Sequence, residues 1–327
     1  MALGGGTYLV QNKILPGAYI NFVSQPRAMG TLGERGTVCI ALELDWGQSG
    51  MMTVQAEEFQ TEAQNIFGYD YTHEKMKPLR ELFLYAKKAL IYRCNSGEKA
   101  SATMGQCTVQ AVCGGTRGND IKIVISKNVD DETAFDVKTY LDLILQDTQT
   151  VKTVEELKQN TYVTFTGNGT LEVNAGTNLT GGTNKQVTGN DYADFLEEAE
   201  KENFSVLAYD GEDDVTKGLF TAFTKRMRNE EGVKFVTVLF DYAEADFEGV
   251  ISVTNETEEQ KTGLVYWTAG AQAGAEVNQS ITNRIYNGEY HVKAKYKKSK
   301  FVEGLQKGEF LYYEDGDDIR VLRDINT

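Results

Sequence analysis

The chain has 327 residues, enough for about two domains and a sizeable core. It is 41% hydrophobic, 10% aromatic and 25% charged, ordinary values for a folded protein. With no apolar run of roughly 18 residues it is not expected to span or insert into a membrane, and a net charge of -15 argues against nucleic acid as its main partner.

The N-terminus, Met1-Ala-Leu-Gly-Gly-Gly6, has neither a basic start nor an apolar core, so it does not read as a secretion signal. Residues 1–24 read as an extended arm. Tyr8, Val10, Ile14, Leu15, Tyr19, Ile20 and Phe22 are apolar without helical spacing, and Gly4-Gly5-Gly6 and Pro16-Gly17 break any helix. Such an arm has little of its own to pack against and suits strand addition to a neighbouring sheet; the alternative is a strand of its own domain. The glycines of Ala28–Gly36 precede a strand, Thr37–Leu44, instead of following one, so they do not form a dinucleotide loop.

Helices are expected over Ala56–Phe67 and Pro78–Ala89, the second with Leu79, Leu82, Phe83, Ala86 and Leu90 on one stripe. Leu90–Cys94 follows as a strand. From about Gly97 the character changes to short Thr/Val/Ile-rich strands at Cys107–Val112, Ile121–Ser126, Phe135–Leu141, Tyr162–Thr166 and Leu171–Asn174, with a short helix at Val154–Gln159 and loops at Gly167–Gly169 and Gly176–Gly182. Alternation of helix and strand resumes near Val187. Helical stripes run through Tyr192, Phe195, Leu196 and Ala199, and through Val215, Leu219, Ala222, Phe223 and Met227; strands are expected at Phe204–Ala208, Lys234–Phe240 and Asp246–Val253. Leu264–Ile281 reads as a helix whose centre is Ala- and Gly-rich. Glycine in a helix costs about 1 kcal/mol relative to alanine, so Gly270 and Gly274 suggest a close backbone neighbour. Glu309–Tyr313 and Ile319–Leu322 flank a Gly turn as a hairpin. The fold class is therefore α+β or α/β: an α/β domain over 25–100 plus 186–327, an inserted β-rich domain over 101–185, and the arm over 1–24.

Charge is unevenly spread. Asn190–Gln260 carries 19 acids and 6 bases, whereas Arg284–Lys307 carries 7 bases and 2 acids. Lys293, Lys295, Lys297, Lys298 and Lys300 form a run that either is solvated or meets acidic copies of the chain.

Little points to catalysis. Cys39, Cys94, Cys107 and Cys113 lack metal-ligand spacing and read as small buried thiols. The Asn-x-Ser/Thr triplets read as chance matches. Gly316-Asp317-Asp318 has the residue types of a tight turn, and a paired-aspartate metal site there lacks a basic channel. His73 and His291 have no nucleophile-elbow context. No catalytic residue, cofactor or metal is expected, although a hydrolase with a triad drawn from distant residues is an alternative.

Several stretches in order resemble the tail sheath proteins of contractile phage tails and of phage-like particles of Gram-positive prophages. They are Leu15-Pro-Gly-Ala-Tyr-Ile-Asn-Phe22, Arg35-Gly36, Trp46-Gly47, Gly114-Gly-Thr-Arg-Gly-Asn-Asp-Ile121, the helix 264–281 with Thr282-Asn283, and Asp324-Ile-Asn326. The resemblance implies a structural, self-assembling virion protein that is assembled in the host cytoplasm. It stacks as hexameric rings around a tail tube, meets the baseplate, and contracts without bound nucleotide to drive the tube through an envelope. It also implies arms that link neighbours and a β-rich domain on the sheath exterior. Members of the family continue past the Asp-Ile-Asn motif, so the resemblance implies a C-terminally truncated chain, expected to be mostly monomeric. The α/β hydrolase with an inserted β domain stands as the alternative function.

Overall fold

The structure is a computed structural model that describes residues 35–276 and 278–327. The expected arm over 1–24 and most of the Ala28–Gly36 loop lie outside the described residues. The chain first forms β1 (Thr37–Leu42), β2 (Gly50–Gln55), α1 (Ala56–Phe67), α2 (Lys77–Phe83) and β3 (Lys88–Arg93). Seven strands follow: β4 (Ser101–Met104), β5 (Cys107–Ala111), β6 (Ile121–Lys127), β7 (Phe135–Leu141), β8 (Ile144–Val151), β9 (Val163–Gly167) and β10 (Asn174–Asn178). The last part contributes α3 (Gly189–Ala199), β11 (Val206–Tyr209), α4 (Asp214–Asn229), β12 (Val236–Phe240), β13 (Val250–Val253), α5 (Leu264–Gly274), α6 (Lys298–Gln306), β14 (Glu309–Phe310), β15 (Tyr312–Asp315) and β16 (Asp318–Val321).

The largest sheet has the order β14-β13-β12-β11-β1-β3-β2. Its strands are parallel except for β2, which runs antiparallel to β3. β1 and β11 are neighbours, with Val38 opposite Val206, although more than 160 residues separate them. Successive side chains of a strand point to opposite faces, and both faces of this sheet are covered. Val38 and Ile40 of β1 enter a core with Phe59 of α1, Leu79 and Leu82 of α2, and Trp267 of α5. Cys39 and Ala41 enter a second core with Phe195 of α3 and Phe220, Phe223 and Met227 of α4. Burial on both faces explains the near-continuous apolar runs of these strands.

Strands β4–β10 form two antiparallel sheets, β10-β6-β7-β8 and β4-β5-β9. Alternate residues of β6 and β7, including Ile121, Ile123, Ile125, Val137 and Leu141, fill a separate core with Val109 and Val163. Trp46, from the loop between β1 and β2, packs in this same core.

Several expected elements differ. The Leu264–Ile281 helix ends at Gly274: Ala275 is extended at φ -72°, ψ 139°, and most of the residues from Glu276 to Ser280 are polar. The second helix spans only Lys77–Phe83. Leu90 fits its stripe by spacing, but it lies in β3 opposite Cys39, where pairing with both β1 and β2 takes the segment. Val154–Glu156 is a single 3-10 turn, and the strand expected at Leu171–Asn174 is shifted: β10 occupies Asn174–Asn178 and runs into the loop expected at Gly176–Gly182. Val215 is 83% exposed, off the buried face of α4. β2, β4, β8 and α6 were not expected: β2, β4 and β8 have mixed or polar faces and α6 is short and lysine-rich.

Candidate assembly surfaces and junctions

The lysine run follows a segment bound to the body of the protein. Val292 bridges Thr257, and the Lys293 amide donates to the Glu256 carbonyl. Lys293 then reaches the Glu256 carboxylate at 2.9 Å, Lys295 reaches Glu314 at 3.5 Å, and Lys300 reaches the nearly buried Glu309 at 3.0 Å. Lys297 caps the start of α6 and Lys298 is its first residue; both are exposed, and no ion pair joins either among the described residues. Three of the five lysines are thus matched by carboxylates of the same chain. The exposed pairs with Glu256 and Glu314 contribute little to stability. The other site residues named from sequence, Tyr8, Val10, Ile14, Leu15 and Tyr19, lie outside the described residues.

Stretches that are distant in sequence converge in two places. At the first, Asp324 accepts hydrogen bonds from the Gln272 amide group (2.6 Å) and the Ile281 backbone (3.1 Å), while its own N–H donates to the Thr282 hydroxyl (2.9 Å). Asn283 adopts φ +63°, an orientation asparagine tolerates better than most residues. Its amide donates to the Val321 carbonyl, and its side-chain oxygen accepts from the Tyr313 hydroxyl. Asp324 and Thr282-Asn283 therefore close the β15–β16 hairpin onto the end of α5.

The second convergence is where the seven-stranded sheet meets the strands β4–β10. Asp45, just past β1, accepts from the Tyr69 hydroxyl (2.9 Å), Thr116 (3.2 Å), Asn184 (2.8 Å) and the Lys75 ammonium. Burial pushes its carboxyl up, but hydrogen bonds from Lys75, Asn184 and Tyr69 and the Lys75 charge outweigh this and bring it down to about 2. Gly115, at φ +132°, lies so close to the Asp45 carbonyl that a side chain there would overlap it. Buried Arg117 donates to the Gly68 carbonyl (2.8 Å), lies 4.3 Å from the centre of the Tyr69 ring, and pairs with Asp120 and Asp142. Buried Arg93 donates to the Gly47 carbonyl at 2.7 Å. The Gly-Gly-Thr-Arg stretch and Trp46-Gly47 thus meet as the two sides of one junction.

These arrangements hold parts together; they do not assemble a reaction centre. His73 caps a 3-10 turn through Nδ1 and stacks on Tyr69, while His291 meets Glu259 at 2.6 Å; neither partner is a serine. Gly316 sits at φ +66° in the β15–β16 turn, and Arg320 pairs with Asp315 and Asp318. Among the described residues no group of His, Cys, Asp and Glu has metal-holding geometry. The four cysteines are free, Cys39, Cys94 and Cys107 buried and Cys113 half-buried.

Two features escaped the sequence. Glu81 of α2 is fully buried and accepts from the Tyr286 hydroxyl (2.9 Å) and the Glu289 amide. Burial raises its carboxyl to about 7, against the lowering effect of those hydrogen bonds and of Lys77. At the β7–β8 hairpin, Leu143, Ile144 and Leu145 are 82%, 61% and 49% exposed. Three apolar residues in a row were a visible signal, but their number is the same as in a buried strand.

Three protein-family models match consecutive parts of the chain: "Tail sheath protein Gp18 domain III N-terminal region" over 35–94, "Phage tail sheath protein beta-sandwich domain" over 95–184, and "Phage tail sheath protein central domain" over 185–327. The phage-like element PBSX protein XkdK of Bacillus subtilis is 38% identical over 355 residues, an alignment covering 99% of this chain and 75% of that protein. The sheath tail protein of Desulfitobacterium hafniense has a similar structure, with a TM-score of 0.85 and 41% identity over 95% of this chain and 75% of its own. The sheath tail protein Lin1278 of Listeria innocua gives a TM-score of 0.78 and 36% identity over 90% of this chain and 69% of its own. The chain belongs to the phage tail sheath protein family.

Proposed function

We propose that this protein is a structural subunit of a contractile tail sheath. It assembles with copies of itself as stacked hexameric rings around a tail tube, and it contracts to drive that tube through the cell envelope. The observation that carries this reading is the unbroken series of sheath-family matches from 35 to 327. In this reading the protein is not an enzyme and takes no cofactor. Its partners are its own copies, the tail tube and the baseplate, and assembly takes place in the host cytoplasm. The hydrolase alternative has no support from the histidine environments described above.

Within this reading, 101–185 is a domain inserted into an α/β domain made of 25–100 and 186–327, and it faces the particle exterior. Support comes from topology: the chain leaves the large sheet after β3, forms two sheets with their own core, and returns at β11. Residues 1–24, with Tyr8, Val10, Ile14, Leu15 and Tyr19, act as an arm that adds to a neighbouring copy. Lys297 and Lys298 are the lysines of the run left to face another subunit.

Immunogold labelling of particles from the strain that encodes the protein tests the proposal. Label along the length of the tail supports it. Label confined to heads or fibres, or absent from particles that contain the protein by mass spectrometry, overturns it.

A further inference from the structure

The geometry points to Asn287-Gly288 as a self-modification site. The Gly288 backbone nitrogen attacks the Asn287 side-chain amide, ammonia leaves, and the succinimide so formed hydrolyses to isoaspartate or aspartate. Tyr85, Trp267 and Glu81 surround the pair and serve that reaction, whether or not the chain builds a sheath.

Glycine has no side chain to crowd the attacking nitrogen, so Asn-Gly is the pair in which this ring closes most freely. The Asn287 side-chain oxygen accepts two hydrogen bonds, from the Tyr85 hydroxyl at 2.9 Å and from the Trp267 indole N–H at 3.0 Å. An indole N–H only donates, so the atom facing it is the amide oxygen and not the amino group. Trp267 is fully buried and packs against the rings of Tyr85, Tyr286 and Tyr312, which hold this donor in place. Two fixed donors on one carbonyl oxygen stabilise the negative charge that develops there when a nucleophile adds.

The Glu81 carboxylate lies so close to Gly288 that a side chain at Gly288 would overlap both its oxygens. Tyr286 and the Glu289 amide donate to it, and each carboxylate oxygen keeps a second lone pair. Among the described residues no acceptor takes the Gly288 N–H. Burial raises the Glu81 carboxyl to about 7, so it is partly ionised near neutral pH and able to take a proton. The groups facing it are Lys77 of its own helix, Glu289 in its pair with Arg80, and the phenols of Tyr286, Tyr290 and Tyr312.

In the first step Glu81 takes the Gly288 N–H proton as the nitrogen bonds to Cγ of Asn287, and Tyr85 and Trp267 hold the resulting oxyanion. The bond from Cγ to Nδ2 then breaks, and the amino group leaves as ammonia with the proton from Glu81. Asn287 is exposed, so ammonia escapes and water reaches the ring. No oxidant or cofactor enters the balance. The product places a new carboxylate beside Trp267, and isoaspartate adds one carbon to the backbone between α5 and α6.

Mass spectrometry of the peptide containing Asn287, with fragmentation that identifies isoaspartate, tests this on the folded chain and on the same chain unfolded in urea. Near neutral pH the folded chain should convert at least roughly tenfold faster than the unfolded one. Its rate should level off above about pH 7, where Glu81 is ionised, while the unfolded rate keeps rising with hydroxide. Glu81→Gln and Tyr85→Phe, each shown by circular dichroism to keep the fold, should each slow the folded chain roughly tenfold and leave the urea rate unchanged. A folded rate no faster than the unfolded one, or one that either substitution leaves unchanged, overturns the inference.

Discussion

Gly270 of α5 lies directly against the carbonyl of Leu82 in α2, so close that a Cβ on Gly270 would overlap that oxygen. One turn later Gly274 meets the Tyr85 carbonyl in the same way. The two glycines let the backbones of α5 and α2 touch beneath the sheet. Gly270→Ala gains about 1 kcal/mol of helix propensity, but the overlap must be relieved by moving backbone, at a net cost of about 1–3 kcal/mol. Urea unfolding should show a lower midpoint. At Gly189, the first residue of α3, a Cβ meets nothing within 4 Å, and Gly189→Ala should leave the midpoint unchanged or raise it.

Asp45 holds the junction in its ionised form. With its carboxyl lowered to about 2 in the folded protein, its contribution is full above the ordinary aspartate value of about 4 and is lost as pH falls through about 2. Asp45→Asn should cost about 1–2 kcal/mol near neutral pH, less than the full shift because the carboxylate is partly screened by solvent. It should also flatten the acid limb of the unfolding curve between about pH 4 and 2. Near-UV circular dichroism, following Trp46 beside Tyr162, reports the transition.

Glu81 has the opposite sign. Its folded value of about 7 lies above the ordinary carboxylate range, so the folded state holds a proton that the unfolded chain has already released. Stability from this group is present below about pH 4 and is lost as pH rises to about 7. Glu81→Gln removes that dependence. The variant should therefore gain on the wild type as pH rises from 5 to 8, in thermal melts at constant ionic strength. A constant difference across that range would assign Glu81 a packing role only.

Asp324 ties the end of the last hairpin to α5 through Gln272 and to the segment after α5 through Ile281 and Thr282. Asp324→Ala leaves the Ile281 amide and the Gln272 side chain without their acceptor, a cost of about 1–3 kcal/mol. Hydrogen exchange should quicken at Ile281, Asn283 and Val321, while β6 and β7 exchange as before.

The sheet and its flanking helices were legible because they are periodic. Phe59, Ala63 and Phe67 mark α1, and the continuous apolar run of Val236–Phe240 marks a strand covered on both faces. Periodicity failed where pairing overrode it, as at Leu90, and where both faces of a strand are half-wet, as in β8. The lysine run was visible, but the carboxylates of Glu256, Glu309 and Glu314 that meet it come from other parts of the chain. Asp45 and Glu81 were opaque for the same reason: a carboxylate surrounded by partners 24 to 208 residues away looks, in sequence, like any surface acid.

The chain crosses twice between the large sheet and strands β4–β10, near Asn95–Ala100 and again near 180–185. The two crossings are laced together: Lys185 donates to Asn95, Thr183 to Glu98, and Ser101 and Thr180 bond each other in both directions. A pull along the crossings is carried by two covalent backbones side by side, and the bonds between them keep the two from splaying or twisting apart. Force applied to either part is transmitted to the other through a stiff coupling, and the molecule is suited to turn as a single lever.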